Sequence, residues 1–178
     1  AQSLLNMTVN RTSGGTVTLG TNLTIGTAAT GALTLTNGII NSGSNLITIS
    51  NTNAAGVAGG SSSSYINGAL ARTLPASLVS GSTYNFPIGK TAFQLFTMTN
   101  ATTTSGGTVI VTTEVFDEDA GGTAGSGIGS LNTNRYWSAS VTGAGAISSV
   151  GSIALTETGL VNGTNIIGQS ATKTGTYQ

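Results

Sequence analysis

Gly31-Ala32-Leu33-Thr34-Leu35-Thr36-Asn37-Gly38-Ile39-Ile40, then a Ser42-Gly43-Ser44-Asn45 corner, then Leu46-Ile47-Thr48-Ile49, is the stretch that decides the fold. Apolar residues alternate with Thr over three to five positions, the period of a strand with one buried face. The same texture recurs on both sides, in Leu5-x-Met7-x-Val9, Val17-x-Leu19 and Leu23-x-Ile25. The steps from Val17 to Leu23, Leu33, Ile39 and Ile47 are six, ten, six and eight residues. A hairpin meander would want longer strands and fixed two-residue turns. Short strands with polar corners suit a β-solenoid, in which each rung stacks on the next and apolar residues fill the bore. The alternative is an ordinary antiparallel sheet with small polar residues outside.

Composition points the same way. The 178 residues include 32 Thr, 21 Ser, 15 Asn and 27 Gly, whereas only 6% are charged and the net charge is zero. Between Arg11 and Arg72 there is no charged residue. Stacked rungs place equivalent side chains about 4.8 Å apart, where like charges repel but Thr and Asn ladders hydrogen-bond. With 38% hydrophobic residues and clear alternation, the chain does not read as disordered. It has no Cys and no His, which removes zinc fingers, thiolate nucleophiles and Ser-His-Asp triads. No basic run provides a footprint for nucleic acid. No stretch approaches the roughly 20 apolar residues of a membrane span. The start at Ala1-Gln2-Ser3 and the strand-like end Gly175-Thr176-Tyr177-Gln178 read as the ends of a piece of a longer chain.

From about residue 65 the texture changes. Residues 54–64, Ala- and Gly-rich and then four serines, read as a short, semi-ordered connection, with a flexible linker and a long corner packed on the solenoid's last rung as the alternatives. Beyond them strands are expected over Tyr65–Leu74, Thr83–Ile88, Phe93–Thr99, Thr108–Phe116, Arg135–Val141, Ile147–Thr156 and Asn165–Ser170. All four Phe and the only Trp lie here. Medium strands with Gly-rich turns point to an antiparallel β-sandwich. No window has helical periodicity with a cap, so essentially no helix is expected. The expected fold is therefore all-β: solenoid rungs over residues 1–60, then a β-sandwich module over residues 61–178 that also closes the solenoid's open end.

A resemblance rests on Leu4-Leu5-Asn6-Met7-Thr8-Val9-Asn10 and Gly31 to Ile40 in the first half. In the second half it rests on Ser64-Tyr65-Ile66-Asn67-Gly68-Ala69-Leu70-Ala71-Arg72-Thr73-Leu74, Tyr84-Asn85-Phe86-Pro87-Ile88-Gly89-Lys90 and Asn134-Arg135-Tyr136-Trp137. In this order these segments resemble the repeat modules of very large secreted cell-surface adhesin and filament proteins of gliding and other Bacteroidota-type bacteria. The resemblance implies tandem modules, export, and adhesion or filament building, with no catalytic centre.

Several residues invite a chemical role. The cluster Glu114, Asp117, Glu118 and Asp119, followed by Gly121-Gly122, holds four of the five carboxylates. Calcium takes several oxygen ligands on a Gly-permissive loop, and alternation makes Asp117 and Asp119 its first candidate ligands. The spacing is not that of an EF-hand, and a solvated loop between two strands is the reading that charge runs ordinarily take. Glycoside hydrolysis needs two carboxyls in unlike environments, and Glu157 is the only acid outside the cluster. The chain is accordingly read as a non-enzyme. Tyr136 and Trp137 are the candidate ligand-binding aromatics, with a core role for Trp137 as the alternative. Arg135 or Arg72 is placed to clasp the acidic loop. Asn-x-Thr sequons at Asn6, Asn10, Asn22, Asn100 and Asn162 are open to glycosylation if the chain is exported.

The expected function is structural: an extracellular, cell-surface building block or spacer whose partners are copies of itself or adjacent modules. A module binding carbohydrate or another surface ligand is the alternative. An ice-binding solenoid, hinted at by Thr16-x-Thr18 and Thr34-x-Thr36, is the third reading.

Overall fold

A computed structural model describes residues 1–157 and 165–178. The chain winds into rungs. The first holds β1 (Gln2–Leu4), β2 (Met7–Asn10) and β3 (Thr16–Thr18), and the second β4 (Leu23–Ile25), β5 (Leu33–Asn37) and β6 (Ile39–Asn41). The third holds β7 (Ile47–Ile49), β8 (Val57–Gly59) and β9 (Ile66–Asn67). Like strands pair in parallel on three faces, β1-β4-β7, β2-β5-β8 and β3-β6-β9. The expected solenoid is thus present, in about four turns.

The parallel ladders run past residue 60. β10 (Leu70–Leu74) continues the first face beside β7. After β11 (Thr83–Phe86), β12 (Ile88–Gly89) continues the third face beside β9. Pairing then turns antiparallel. The remaining strands are β13 (Phe96–Thr99), β14 (Thr102–Thr103), β15 (Val109–Phe116), β16 (Thr123–Ala124), β17 (Tyr136–Gly143), β18 (Ile147–Ser149), β19 (Ser152–Leu155) and β20 (Thr176–Tyr177). β15 pairs with β10, and β17 with β15, so one six-stranded sheet runs β1-β4-β7-β10-β15-β17. β11-β13-β19 form a second antiparallel sheet. The solenoid followed by antiparallel sheets is the fold class the alternation indicated.

Register explains the alternation. Leu4, Ile25 and Ile49 form one inward column, and Leu23, Ile47 and Leu70 another. On the third face Val17, Ile40, Ile66 and Ile88 stack likewise. From Leu23 onward these side chains are nearly or fully buried, and they form one core with Tyr84, Phe86, Phe96, Met98, Val109, Val111 and Val115 of the antiparallel part. The alternate column of the first face reads Ser3, Thr24, Thr48, Ala71 and Thr112, exposed at Ser3 and covered at Ala71.

The corners account for the Asn and Ser content. Asn6 and Asn22 side-chain oxygens accept from the amides of Ala32 and Leu46, each 3.0 Å away and one rung on. Asn45 donates to the Leu19 carbonyl, Asn51 to Gly31 and Ser64 to Gly38. Each bond satisfies a backbone group where the ladder is interrupted, at a place where an orphan would be costly.

Three expectations are corrected in detail. Residues 54–64 form an ordered corner rather than a semi-ordered connection. Ala54–Gly56 form a 3-10 turn capped by Asn53, β8 pairs with β5, and Ser61 bridges to Ser64. A Gly occupies 59 because φ is +79° and a Cβ there would lie 2.0 Å from the Leu35 carbonyl oxygen. Residues 165–170 carry no strand, although the end does, with β20 parallel to β16. The long second-half strands are interrupted, as Tyr65–Leu74 divides at Gly68 and Thr83–Ile88 at Pro87.

The columns make a stability prediction. Ile49→Ala empties a fully buried site and is expected to cost about 2–5 kcal/mol. Leu4→Ala, in the same column but 46% exposed, is expected to cost under about 1 kcal/mol. Chemical denaturation of both variants measures the contrast.

Candidate functional site

The charged side chains after Arg72 gather where β15 ends and β17 begins. Antiparallel register sets Phe116 opposite Tyr136, so the next residues out, Asp117 and Arg135, face each other. Arg135 Nε donates to Asp117 Oδ1 at 2.6 Å, and Arg135 Nη1 to Glu157 Oε1. These side chains are only 11%, 18% and 11% exposed for Arg135, Asp117 and Glu157. Glu157 arrives just beyond β19. The Thr91 amide donates to Asp117 Oδ2 at 3.0 Å, and the Thr91 hydroxyl binds the same oxygen. Buried Gln94 presents its amide oxygen to Arg135 Nη1 at 3.1 Å, in the orientation that satisfies both ends of the amide. One guanidinium therefore ties together segments from β12–β13, β15, β17 and β19.

Around this core the contacts are looser. Lys173 bonds Glu118 at 2.7 Å, with both side chains about half exposed, and its ammonium lies 5.2 Å from the Tyr136 ring centre. Tyr136 stacks on Phe116 at 4.9 Å, with planes 10° apart. Trp137 takes the other side of β17, opposite Val115, and packs half-buried against the core. Its indole N–H is buried without a hydrogen-bond partner. The two candidate aromatics thus point to opposite faces, as strand alternation requires.

Asp117 and Asp119 are separated in role. Asp117 is engaged by Arg135 and Thr91, whereas Asp119 Oδ1 accepts from the Gly121 amide at 2.8 Å within its own turn. Among the described residues no three His, Cys, Asp or Glu side chains group as a metal site. Both carboxylate oxygens of Asp117 are engaged, Oδ1 by Arg135 and Oδ2 by Thr91. Burial pushes the Asp117 pKa up, but the bonds from Arg135 and Thr91 and the arginine charge outweigh it and hold the pKa below the ordinary 3.8. That is the opposite of what a general acid needs. Burial pushes Glu114 up from its ordinary 4.5, with Lys90 opposing.

Arg72 does not reach the acidic loop. It stands in the inward column after Leu4, Ile25 and Ile49, fully buried. Nη1 donates to the Asn85 carbonyl at 3.0 Å, and Nη2 to the carbonyls of Asn53 and Ala54 at 3.1 and 2.7 Å. The guanidinium carbon lies 4.9 Å from the Tyr84 ring centre, and burial pushes its pKa down to about 10. Leu70-x-Arg72-x-Leu74 was the available signal, since period 2 places all three on one face. The part of Glu157 was missed, and its only signal was being the one acid outside the cluster.

Of the Thr pairs, Thr34 stacks on Thr8 on one side and on Ala58 on the other. Thr16 sits beside Ile39 and Thr18 beside Asn41, so the pair is not repeated on the next rung. Sequon residue Asn162 lies outside the described residues. Among the described residues no helix is long and apolar enough to cross a membrane, which leaves strand-built spans unaddressed. The chain matches no protein-family model, no curated protein and no solved structure.

Two predictions follow from the clasp. Arg135→Met leaves two largely buried carboxylates uncompensated and is expected to destabilise by on the order of 3 kcal/mol, with Arg135→Lys recovering only part because it lacks the planar fork. For Asp117, whose pKa is lower folded than unfolded, the stabilisation is complete above the ordinary 3.8 and is lost as pH falls through the lower folded value. The stability gap between the native chain and Asp117→Asn is therefore expected to be widest near neutrality and to close below that pH, as thermal unfolding between neutral and acid pH measures.

Proposed function

We propose that the chain is a structural building block of an extracellular surface adhesin or filament, working through β-stacking and module-to-module contact rather than through a reaction. The observation that carries this reading is the continuous ladder: one sheet runs from β1 in the first rung to β17 in the antiparallel part, with a single core beneath it. Such a body is stiff along its stacking axis, because each rung is hydrogen-bonded to the next through the backbone. Its surface of Thr, Ser and Asn stays hydrated without charge, which suits repeated packing of like modules.

The charged cluster fits this reading. Arg135, Asp117, Glu157 and Gln94 hold four chain segments together, and the bonds from Arg135 and Thr91 keep the Asp117 carboxyl below its ordinary pKa. A carbohydrate platform would need exposed aromatics converging on one surface, whereas Tyr136 and Trp137 lie on opposite faces of β17 and are half-buried. The proposed partners are copies of this chain or neighbouring modules, and the proposed location is the cell surface.

The test is immunogold labelling of intact source cells, combined with electron microscopy and subunit mass of the native material. Surface label on long, uniform rods or fibres is the expected result. Label confined to the cell interior, or discrete particles of this chain's mass that retain a glycan on an array, would replace this reading with another.

A further inference from the structure

The two outer strands of the six-stranded sheet, β1 and β17, match one another. β1, β4, β7 and β10 run parallel, β15 runs against β10, and β17 against β15. Two reversals restore the direction, so the sheet begins and ends with strands pointing the same way. The columns carry through. Leu4, Ile25, Ile49, Arg72, Val111 and Val141 occupy one register position, and Ser3, Thr24, Thr48, Ala71, Thr112 and Ser140 the next. The inward column is buried in the middle and open at both ends, with Leu4 46% and Val141 50% exposed.

Among the described residues neither outer strand has a strand paired on its outer side. In β1 the Gln2 amide donates to Asn22 and the Leu4 carbonyl accepts from Gly26, so the Ser3 N–H and C=O between them point away from β4. All of β1 and residues 138–143 of β17 are exposed. Protein edges are ordinarily protected by Lys, Pro or a bulge. Gln2–Leu4 and Tyr136–Gly143 contain no charge and no Pro, and the pairing of β15 with β17 has no register shift.

We propose that β17 of one copy pairs in parallel with β1 of a second copy, continuing the sheet head to tail with Val141 beside Leu4 and Ser140 beside Ser3. The inference rests on the building-block reading and specifies its contact. The occupant is another copy of this chain because β1 supplies the matching strand direction, the matching apolar column and an equally uncharged edge. The contact is heterologous, and because each copy continues the same sheet along its stacking direction the copies translate onward into an open filament rather than closing a dimer. Six strand spacings of about 4.8 Å give an axial repeat of about 29 Å.

The chain has no Cys, so introduced thiols report cleanly. Ser3→Cys and Ser140→Cys fall at the two exposed ends of the column that runs from Ser3 to Ser140. Neighbouring positions of adjacent strands lie within disulfide reach. Under mild oxidation, a mixture of the two single variants is expected to give a covalent dimer at least tenfold faster than either variant alone, and the double variant a ladder of higher oligomers. Adding Val141→Lys to the Ser140→Cys chain is expected to reduce that coupling at least tenfold with thermal stability unchanged. Homotypic coupling as fast as the mixed coupling, or no coupling in the mixture, overturns the proposal. If coupling fails while surface rods are still seen on the source cells, the building-block reading stands and only this contact falls. If coupling succeeds while the native chain proves to be intracellular, the contact stands and the surface reading falls.

Discussion

The constraint on which the structure depends is the spacing of about 4.8 Å between neighbouring strands. In a parallel solenoid that spacing brings each residue against its equivalent in the next rung, so every position is chosen for compatibility with itself. Aliphatic residues stack with aliphatics, as in Val17, Ile40, Ile66 and Ile88, and Thr48 sits beside Thr24. Charge is the one property that cannot be repeated at this distance without repulsion. The uncharged run from residue 12 to residue 71 follows from that, as does the absence of ion pairs among the described rungs it covers. Corners obey the same rule. Asn22 and Asn45 spend their amides on backbone groups of the neighbouring rung, where a charged side chain would have been pushed into solvent.

Arg72 shows how such a stack gives way to a different architecture. Its column is aliphatic for three rungs, and a fourth aliphatic would leave carbonyls of the third-rung corner and of β11 without donors. The planar guanidinium supplies donors to Asn53, Ala54 and Asn85 at once and lies against the faces of Tyr84 and Phe86. No carboxylate is needed, because three carbonyl dipoles and two aromatic faces surround the charge. Tyr84 adds its own bond to the Thr52 carbonyl at 2.8 Å. The rung-3 corner is thereby fixed to the first antiparallel strands, and one core spans both.

Much of this was legible in the residues, and the parts that were not have physical reasons. Alternation of Leu or Ile with Thr marks a strand whatever its neighbours are, so the strands and the near absence of helix among the described residues could be read directly, and the short strand length with polar corners favoured the solenoid over an ordinary sheet. Residues 54–64 could not, because a flexible linker and a tight corner use the same Ala, Gly and Ser. What distinguishes them is the approach of Gly59 to the Leu35 carbonyl and the Asn53 cap, and both exist only after the rungs have stacked. The acidic cluster was visible as composition, but its partner was not. Asp117 and Arg135 meet because β15 and β17 pair in register, and Glu157 joins them through the separate pairing of β19 with β13. Local spacing carries no information about such contacts.

The distribution of charge then acquires a mechanical sense. Eight of the ten charged residues follow Arg72, and the antiparallel part can carry them because its register brings opposite signs together, as at Asp117 and Arg135. The parallel part cannot, and it uses hydroxyls and amides instead. Arg135 binds β17 to β19 at one end of β17, next to Tyr136 and Lys173, and from Ser138 onward the strand has no charged neighbour in its sequence and is exposed. Ion pairing is therefore confined to the end of β17 that is packed against the module, and the free length of the same strand has the uncharged, alternating character of the first rung. The same physical rule that forbids charge inside a stack governs any edge that is to receive another strand, and β1 and the outer part of β17 both satisfy it.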